Sequence, residues 1–275
     1  MSAFGRLVRS LGHVVPAFRR HYQLIDALIA ERDALAQQVA LQRTSGMPIG
    51  DFRVPSPAPL TRPEQGVVDA FHHLYYSSWQ QGQPTIDVSW FGWRTLKCPL
   101  DLWIYQELIV ADRPDVIIEC GTRYGGSAAY LASLFDLLDK GRVISIDIDT
   151  DPALNRPQHP RITYVAGSSV APEVVEPIKA EVAGKRVMVI LDSDHSEAHV
   201  LEELRLWNSV VPIGGWLIVE DTNVNGHPTY PGHGPGPMEA VERFLSEQPA
   251  FVADPACERF RMTLNPRGYL RRIAA

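Results

Sequence analysis

The sequence predicts an α/β protein built on a doubly wound, mostly parallel sheet, with a helical extension at its N-terminus. Two observations carry this. From residue 90 onward, short runs of β-branched and aliphatic residues alternate with helix-length amphipathic segments, the pattern of parallel strands joined by crossover helices. Several of these runs also end in acid. Asp147 closes Arg142-Val-Ile-Ser-Ile-Asp147, Asp192 closes Val187-Met-Val-Ile-Leu-Asp192, and Glu220 with Asp221 closes Gly215-Trp-Leu-Ile-Val-Glu-Asp221. Neighbouring parallel strands end on one edge, so these carboxylates converge.

Residues 1–45 have a helical pattern. Phe4, Leu7, Val8, Leu11, Val14, Val15 and Phe18 recur at helical spacing beside Arg6, Arg9, Arg19 and Arg20. Such a basic amphipathic stretch docks on the catalytic domain, self-associates, serves as a targeting segment, or makes peripheral membrane contact through residues 1–20. Ile25, Leu28, Leu35 and Val39 approximate a and d positions of a short dimerisation helix, which predicts a homo-oligomer. Residues 46–89 form a connecting segment rich in Pro, Gly and aromatics. Phe71, Tyr75, Tyr76, Trp79, Trp90, Phe91 and Trp93 either wall a substrate or pack in the core. Residues 90–275 form the main domain.

Within that domain, Asp101–Val110 reads as a helix. Strand Asp115–Cys120 runs through a glycine-rich turn into helix Ala128–Leu138, followed by strands Arg142–Asp147 and Ile162–Ala166 and helix Ala171–Ala183. The acid-ended strands at 187–192 and 215–221 flank helix Ser196–Val210. After a long loop come helix Pro237–Gln248 and strands at Phe251–Ala253, Phe260–Leu264 and Gly268–Leu270.

Composition narrows the function. With 26 Lys and Arg against 32 Asp and Glu, the formal net charge is −6, which argues against nucleic acid as the partner because duplex affinity rests on clustered cations. A small-molecule or glycoconjugate acceptor fits better. No run reaches the roughly 18 to 20 apolar residues of a membrane span, and a cytoplasmic location is expected. Cys98, Cys120 and Cys257 are widely spaced without a C-x-x-C pair, so they read as reduced and structural.

Asp192, Glu220 and Asp221 repel one another if bare, and a hard divalent cation with oxygen ligands turns such a cluster into a site. Acids at strand ends also commonly cap the next helix. Upstream, Gly121, Gly125 and Gly126 make the turn after Cys120 and allow close backbone approach to a ligand at the following helix N-terminus. Their G-x-x-x-G-G spacing is neither the G-x-G-x-x-G of dinucleotide folds nor a P-loop, which favours a nucleoside without a pyrophosphate. Asp147 stands where such folds hold ribose hydroxyls.

Glu119-Cys-Gly-Thr-Arg-Tyr-Gly-Gly-Ser127, Ile144-Ser-Ile-Asp-Ile-Asp149, Leu191-Asp-Ser-Asp-His195 and Val219-Glu-Asp-Thr-Asn-Val-Asn-Gly-His227 resemble the cephalosporin hydroxylase-like and rhamnosyl O-methyltransferase family over roughly Trp90 to Arg272. The resemblance implies a Rossmann-like methyltransferase fold with a seven-stranded sheet, S-adenosyl-L-methionine as cofactor and Mg2+ as metal. It implies metal ligation by Asp192, Glu220 and Asp221. The cofactor loop would comprise Glu119, Gly121, Thr122, Arg123, Tyr124, Gly125, Gly126 and Ser127, with Asp147 on the ribose. Gly167, Ser168 and Ser169 would lie beside the adenine.

His195, three residues after Asp192, is the candidate general base, unless it simply caps the helix starting near Ser196; Asp192 is its partner in catalysis. His199 is expected to be structural. The Gly- and Pro-rich segment Thr222–Gly236 reads as a lid, with His227, Tyr230 and His233 as substrate contacts. The expected reaction is in-line methyl transfer to a sugar hydroxyl, such as that of a deoxyhexose in a glycolipid, polysaccharide or natural product. Two other readings stay open. An iron oxygenase would use His195, His199 and Asp192 as its metal face. A noncatalytic scaffold would keep the fold alone.

Overall fold

The computed structural model describes residues 23, 26–34, 56–80 and 87–275. The amphipathic segment 1–20 lies outside these residues, as do Ile25, Leu35 and Val39. Residues 26–34, which belong to the first of two units dividing the chain at residue 49, are helical and exposed. No helix among the described residues is long and apolar enough to cross a membrane.

The second unit is the doubly wound domain. Helix α1 (Arg62–Gln80) leads into a two-stranded antiparallel hairpin, β1 (Asp87–Trp90) and β2 (Trp93–Leu96), and then into α2 (Pro99–Asp112). The main sheet comprises β3 (Val116–Cys120), β4 (Arg142–Asp147), β5 (Ile162–Ala166), β6 (Val187–Leu191), β7 (Trp216–Val219), β8 (Phe251–Ala253) and β9 (Tyr269–Arg272). Its order is β5-β4-β3-β6-β7-β9-β8, parallel from β5 through β7, with antiparallel β9 and β8 at one edge. Helices α3 (Gly126–Leu138), α4 (Pro172–Glu181), α5 (Glu197–Trp207) and α6 (Pro237–Glu247) complete the layers.

Period-two alternation sorts the strand residues onto two cores. Val116, Ile118, Val187, Val189 and Leu191 pack with residues of α4, α5 and α6, including Val175, Trp207 and Phe244. Ile117, Val143, Met188 and Ile190 pack on the other face with Ile104, Tyr105, Leu131 and Phe135 from α2 and α3. The chain starts in the middle of the sheet at β3, winds outward to β5, then crosses back to β6. The reversal leaves a crevice between the carboxyl ends of β3 and β6, where doubly wound folds bind ligands.

Two elements depart from the sequence expectation. Residues 62–80 form a 19-residue helix inside the stretch read as a connector. Phe260–Leu264, read as a strand, is irregular because buried Asp101 commandeers its hydrogen bonds. Asp101 Oδ2 accepts from the Leu264 N–H at 2.9 Å, and Oδ1 accepts from the Thr263 and Tyr269 hydroxyls. Burial raises the Asp101 carboxyl to about 6 against these three donors.

The aromatic cluster is divided in the same way. Trp90 meets Tyr130 edge-on at 4.9 Å and donates to the Ser133 hydroxyl, so it is a core residue. Phe91 projects into solvent at the hairpin turn with φ of 48°. Tyr75 and Tyr76 pack near Cys98, Val224, Met262 and Leu264, which fixes α1 over the carboxyl edge of the sheet.

His72 completes that attachment, its Nε2 accepting from the Asn223 amide at 3.0 Å. Burial, aided by His73 and opposed by Asp69, lowers the imidazole to about 4. The unfolded chain takes up this proton near pH 6.5 and the folded one only near 4. The stability contributed by neutral His72 is therefore complete above about pH 6.5 and is lost as pH falls towards 4, on the order of 2–3 kcal/mol. Thermal unfolding followed between pH 7 and pH 4 is expected to show a shallower decline for His72→Gln than for wild type. Parallel declines would contradict this role.

Candidate active site

The register of β3, β6 and β7 assembles the site. The Asp192 N–H donates to Cys120 O at 2.8 Å and the Glu220 N–H to Leu191 O at 2.9 Å, which carries the ladder up to the acids. Gly121 makes the contact close enough. A Cβ there would lie 1.8 Å from the Asp192 carbonyl oxygen, and its φ is +98°. Asp221 adopts φ of 53°, a left-handed conformation that aspartate tolerates better than most residues, and its N–H donates to Asn265 Oδ1 at 3.1 Å.

A residue absent from the sequence reading holds the acids together. Lys97, 3% exposed at the end of β2, donates to Asp192 Oδ2 and, at 2.6 Å, to Glu220 Oε1. His195 supplies a second positive charge, its Nε2 lying 3.2 Å from Asp192 Oδ1 and its Nδ1 3.5 Å from Asp221 Oδ2. Burial disfavours the imidazolium, but Asp221, Asp192 and Glu220 outweigh it and raise His195 to about 9. Burial likewise opposes charge on Lys97, and Asp192, Glu220 and Glu119 hold it protonated. Burial would raise Asp192, yet Lys97 and His195 pull it below the usual carboxylate range. Glu220 is pushed up to about 8 by burial and by Asp192, with Lys97 pulling the other way. Burial also raises Asp221, against the pull of His195.

Asp192, His195 and Asp221 each offer one ligand atom, all within 4.8 Å of one another, while Glu220 is turned to Lys97. Two carboxylates and an imidazole at that spacing suit a small divalent cation. Two histidines and a carboxylate do not come together. His199 Nε2 faces Ser169 Oγ at 3.3 Å and Glu203 Oε1 at 3.5 Å, as expected of a structural residue. The face required by an iron oxygenase is thus not assembled among the described residues.

The glycine-rich turn lies beside this cluster. Helix α3 begins at Gly126 with no side-chain cap, leaving its terminal N–H groups without a capping side chain. A Cβ at Gly126 would sit 2.1 Å from Arg94 O, so β2 packs directly on this terminus. Glu119 is fully buried and raised by burial. One of its oxygens accepts from Ser145 Oγ at 2.5 Å, and Oε1 has no partner. An uncapped helix end and an orphaned carboxylate oxygen at one crevice fit a polar nucleoside ligand. Asp147 Oδ2 accepts from the N–H groups of Thr122 and Arg123 at 3.0 and 2.7 Å and lies 3.1 Å from Arg156. It therefore orders the loop itself. The Tyr124 ring lies under Arg94 at 4.3 Å, while Ser127 stands in the first turn of α3.

Gly167 has φ of +144° and a Cβ there would meet Val174 at 2.5 Å. Ser168 Oγ accepts from the Val170 N–H, and Ser169 is engaged with Glu203 and His199. In the long loop, His227 is pinned to Glu239 of α6 at 2.9 Å. Tyr230 and His233 stack edge-on at 5.4 Å. Asp221 feels the charge of His233, and buried Tyr76 that of Asp221, Tyr230 and Asp192, so the loop lies in the neighbourhood of the acids. Buried Tyr105 of α2 accepts from the Asn265 amide at 3.2 Å and feels the charge of Glu220.

The sheet order is that of a Rossmann-like methyltransferase fold. The solved structure described as "CmcI-N160 apo-structure" aligns with a TM-score of 0.55 at 21% identity, over 82% of this chain and 91% of that one. That described as "cmcI-D160 Mg-SAM" aligns at 0.54 and 21% identity, over 85% and 96%. Sequence goes further. The pattern of the family Rhamnosyl O-methyltransferase/CmcI matches residues 83–273. A Rhamnosyl O-methyltransferase of Mycobacterium leprae (strain TN) is 37% identical over 220 residues, 77% of this chain and 93% of its own. That of Mycobacterium tuberculosis (strain ATCC 25618 / H37Rv) is 38% identical over 220 residues, 77% and 87%. The chain belongs to the Rhamnosyl O-methyltransferase/CmcI family.

Gly121 tests the geometry of the crevice. Gly121→Ala puts a methyl group into the Asp192 carbonyl on a backbone of positive φ, and is expected to cost more than about 2 kcal/mol in denaturant unfolding. An unchanged midpoint would show that the β3–β6 contact is looser than described.

Proposed function

We propose that this protein is an S-adenosylmethionine-dependent O-methyltransferase whose acceptor is a sugar hydroxyl, specifically that of a rhamnosyl or similar deoxyhexose group on a larger molecule. The observation that carries the reading is the juxtaposition of Asp192, His195 and Asp221 with the uncapped α3 terminus across one crevice. The Rhamnosyl O-methyltransferase relatives supply the acceptor class. In this reading Glu119, the loop from Gly121 to Ser127 and Asp147 hold the methyl donor, with Gly167, Ser168 and Ser169 beside its base. Asp192, Asp221 and Glu220 would hold Mg2+, Glu220 in competition with Lys97. The donor brings a methyl group already activated on a sulfonium, and the metal a Lewis acid that lowers the pKa of a hydroxyl.

The chain's own residues then have separable tasks. The crevice fixes the angle and distance between donor and acceptor, and positioning of this kind supplies much of the rate. Tyr76, Tyr230 and His233 border the acids from α1 and the long loop, restricting water and offering polar edges to a sugar. His195 is the base. Its imidazolium persists because Asp192 and Asp221 face it, so compensating those charges returns it towards its ordinary value and frees a ring nitrogen for the acceptor proton.

Calorimetry with S-adenosylmethionine, with and without Mg2+, tests the reading. Micromolar binding is expected for wild type, weakened at least about tenfold in Asp147→Ala. Asp192→Ala is expected to lose turnover far more than donor binding. Equal loss of both would make Asp192 structural, and no binding by wild type would reject the methyltransferase site.

A further inference from the structure

The methyl-transfer reading leaves Lys97 without a task, yet Lys97 is the most completely enclosed cation at the site. Its stem enters from a fixed point. The Lys97 N–H donates to Thr95 O at 3.0 Å, and Pro99 begins α2 two residues later. The ammonium meets Asp192 Oδ2 and Glu220 Oε1, whereas the other Asp192 oxygen faces His195. The cluster is thereby divided. A tethered cation engages one oxygen each of Asp192 and Glu220, while donor atoms of Asp192, His195 and Asp221 lie within 4.8 Å of one another on the other side.

We propose that Lys97 is a positioning residue, a built-in counter-ion that holds Glu220 and Asp192 in place and sets how tightly the acids Asp192, Glu220 and Asp221 take a divalent cation. The inference rests on the metal reading above. Two physical effects act in one direction. The ammonium repels an incoming cation across a short path of low polarisability, and it competes with that cation for Glu220 and Asp192. It also holds the carboxylates together when no metal is bound, so the crevice does not depend on metal for its shape. A site of this kind exchanges metal readily and stays assembled between turnovers.

The test measures metal binding rather than turnover. The full chain is titrated calorimetrically with Mg2+ as wild type, Lys97→Met and Lys97→Arg, and each is unfolded thermally with and without Mg2+. Lys97→Met is expected to bind Mg2+ at least about tenfold more tightly than wild type. Its melting temperature is expected to be lower without metal and to rise much more on adding it. Lys97→Arg, which keeps the charge, is expected to behave like wild type. If Lys97→Met does not fold, Lys97→Gln, whose amide still donates to the carboxylates, takes its place with the same expectation. Binding by wild type with equal or weaker binding by the uncharged variant would overturn the role of Lys97 and leave the metal reading intact. Absence of Mg2+ binding in both would overturn the metal reading and this inference with it.

Discussion

Carboxylates crowded at one buried strand edge are tolerable only if cations are buried with them, and this constraint organises the molecule. Asp192, Glu220, Asp221 and Glu119 sit at or beneath the carboxyl ends of β3, β6 and β7, with Lys97 and His195 as the facing charges. Removing water from such groups costs several kcal/mol per ion, and close pairing with good hydrogen bonds is what offsets it. Lys97 comes from outside the sheet, on the hairpin, and His195 from the turn before α5. The elements that look like additions to the doubly wound core therefore supply the counter-charges that its acids require.

The second constraint is close approach. β3 and β6 meet at Gly121, β2 and α3 at Gly126, and β7 and the β9 approach at Gly268, where a Cβ would fall 2.1 Å from Val219 O. These contacts bring the acids and the uncapped helix end within one crevice. Around it, α1 and α2 form a supporting shell. His72 ties α1 to Asn223, Asp101 gathers Thr263, Leu264 and Tyr269, and Tyr105 accepts from Asn265. The long loop after β7 starts from this supported base and is tied back to α6 through His227 and Asn225, both bonded to Glu239.

Much of this was legible in the sequence, for reasons that also explain what was not. Strands such as 116–120 and 187–191 are buried on both faces, so their apolar runs are continuous and their terminal acids conspicuous. Glycine spacing marked the turn into α3 for the same local reason. Lys97 left no such mark, because a lysine is buried only by partners 95 and 123 residues away; its one sequence sign is a lone cation in the otherwise apolar run from Leu96 to Leu100. Phe260–Leu264 has a strand's composition, and Asp101, some 160 residues earlier, overrides it. Helix α1 was hidden by the exposure of Val67, Phe71 and Leu74, which blurs its apolar face. Its aromatics divide among solvent, core and site, a sorting that depends on tertiary position.

The most direct test of the proposed methyl transfer to a sugar hydroxyl is the reaction itself. Purified protein would be incubated with Mg2+, S-adenosylmethionine bearing a deuterated methyl group, and a glycolipid carrying a terminal rhamnosyl residue, with the products read by mass spectrometry. The account predicts a labelled methyl ether on a rhamnosyl hydroxyl, abolished in Asp192→Asn. Label that never reaches the sugar, from a protein shown to bind both the donor and the glycolipid, would contradict it.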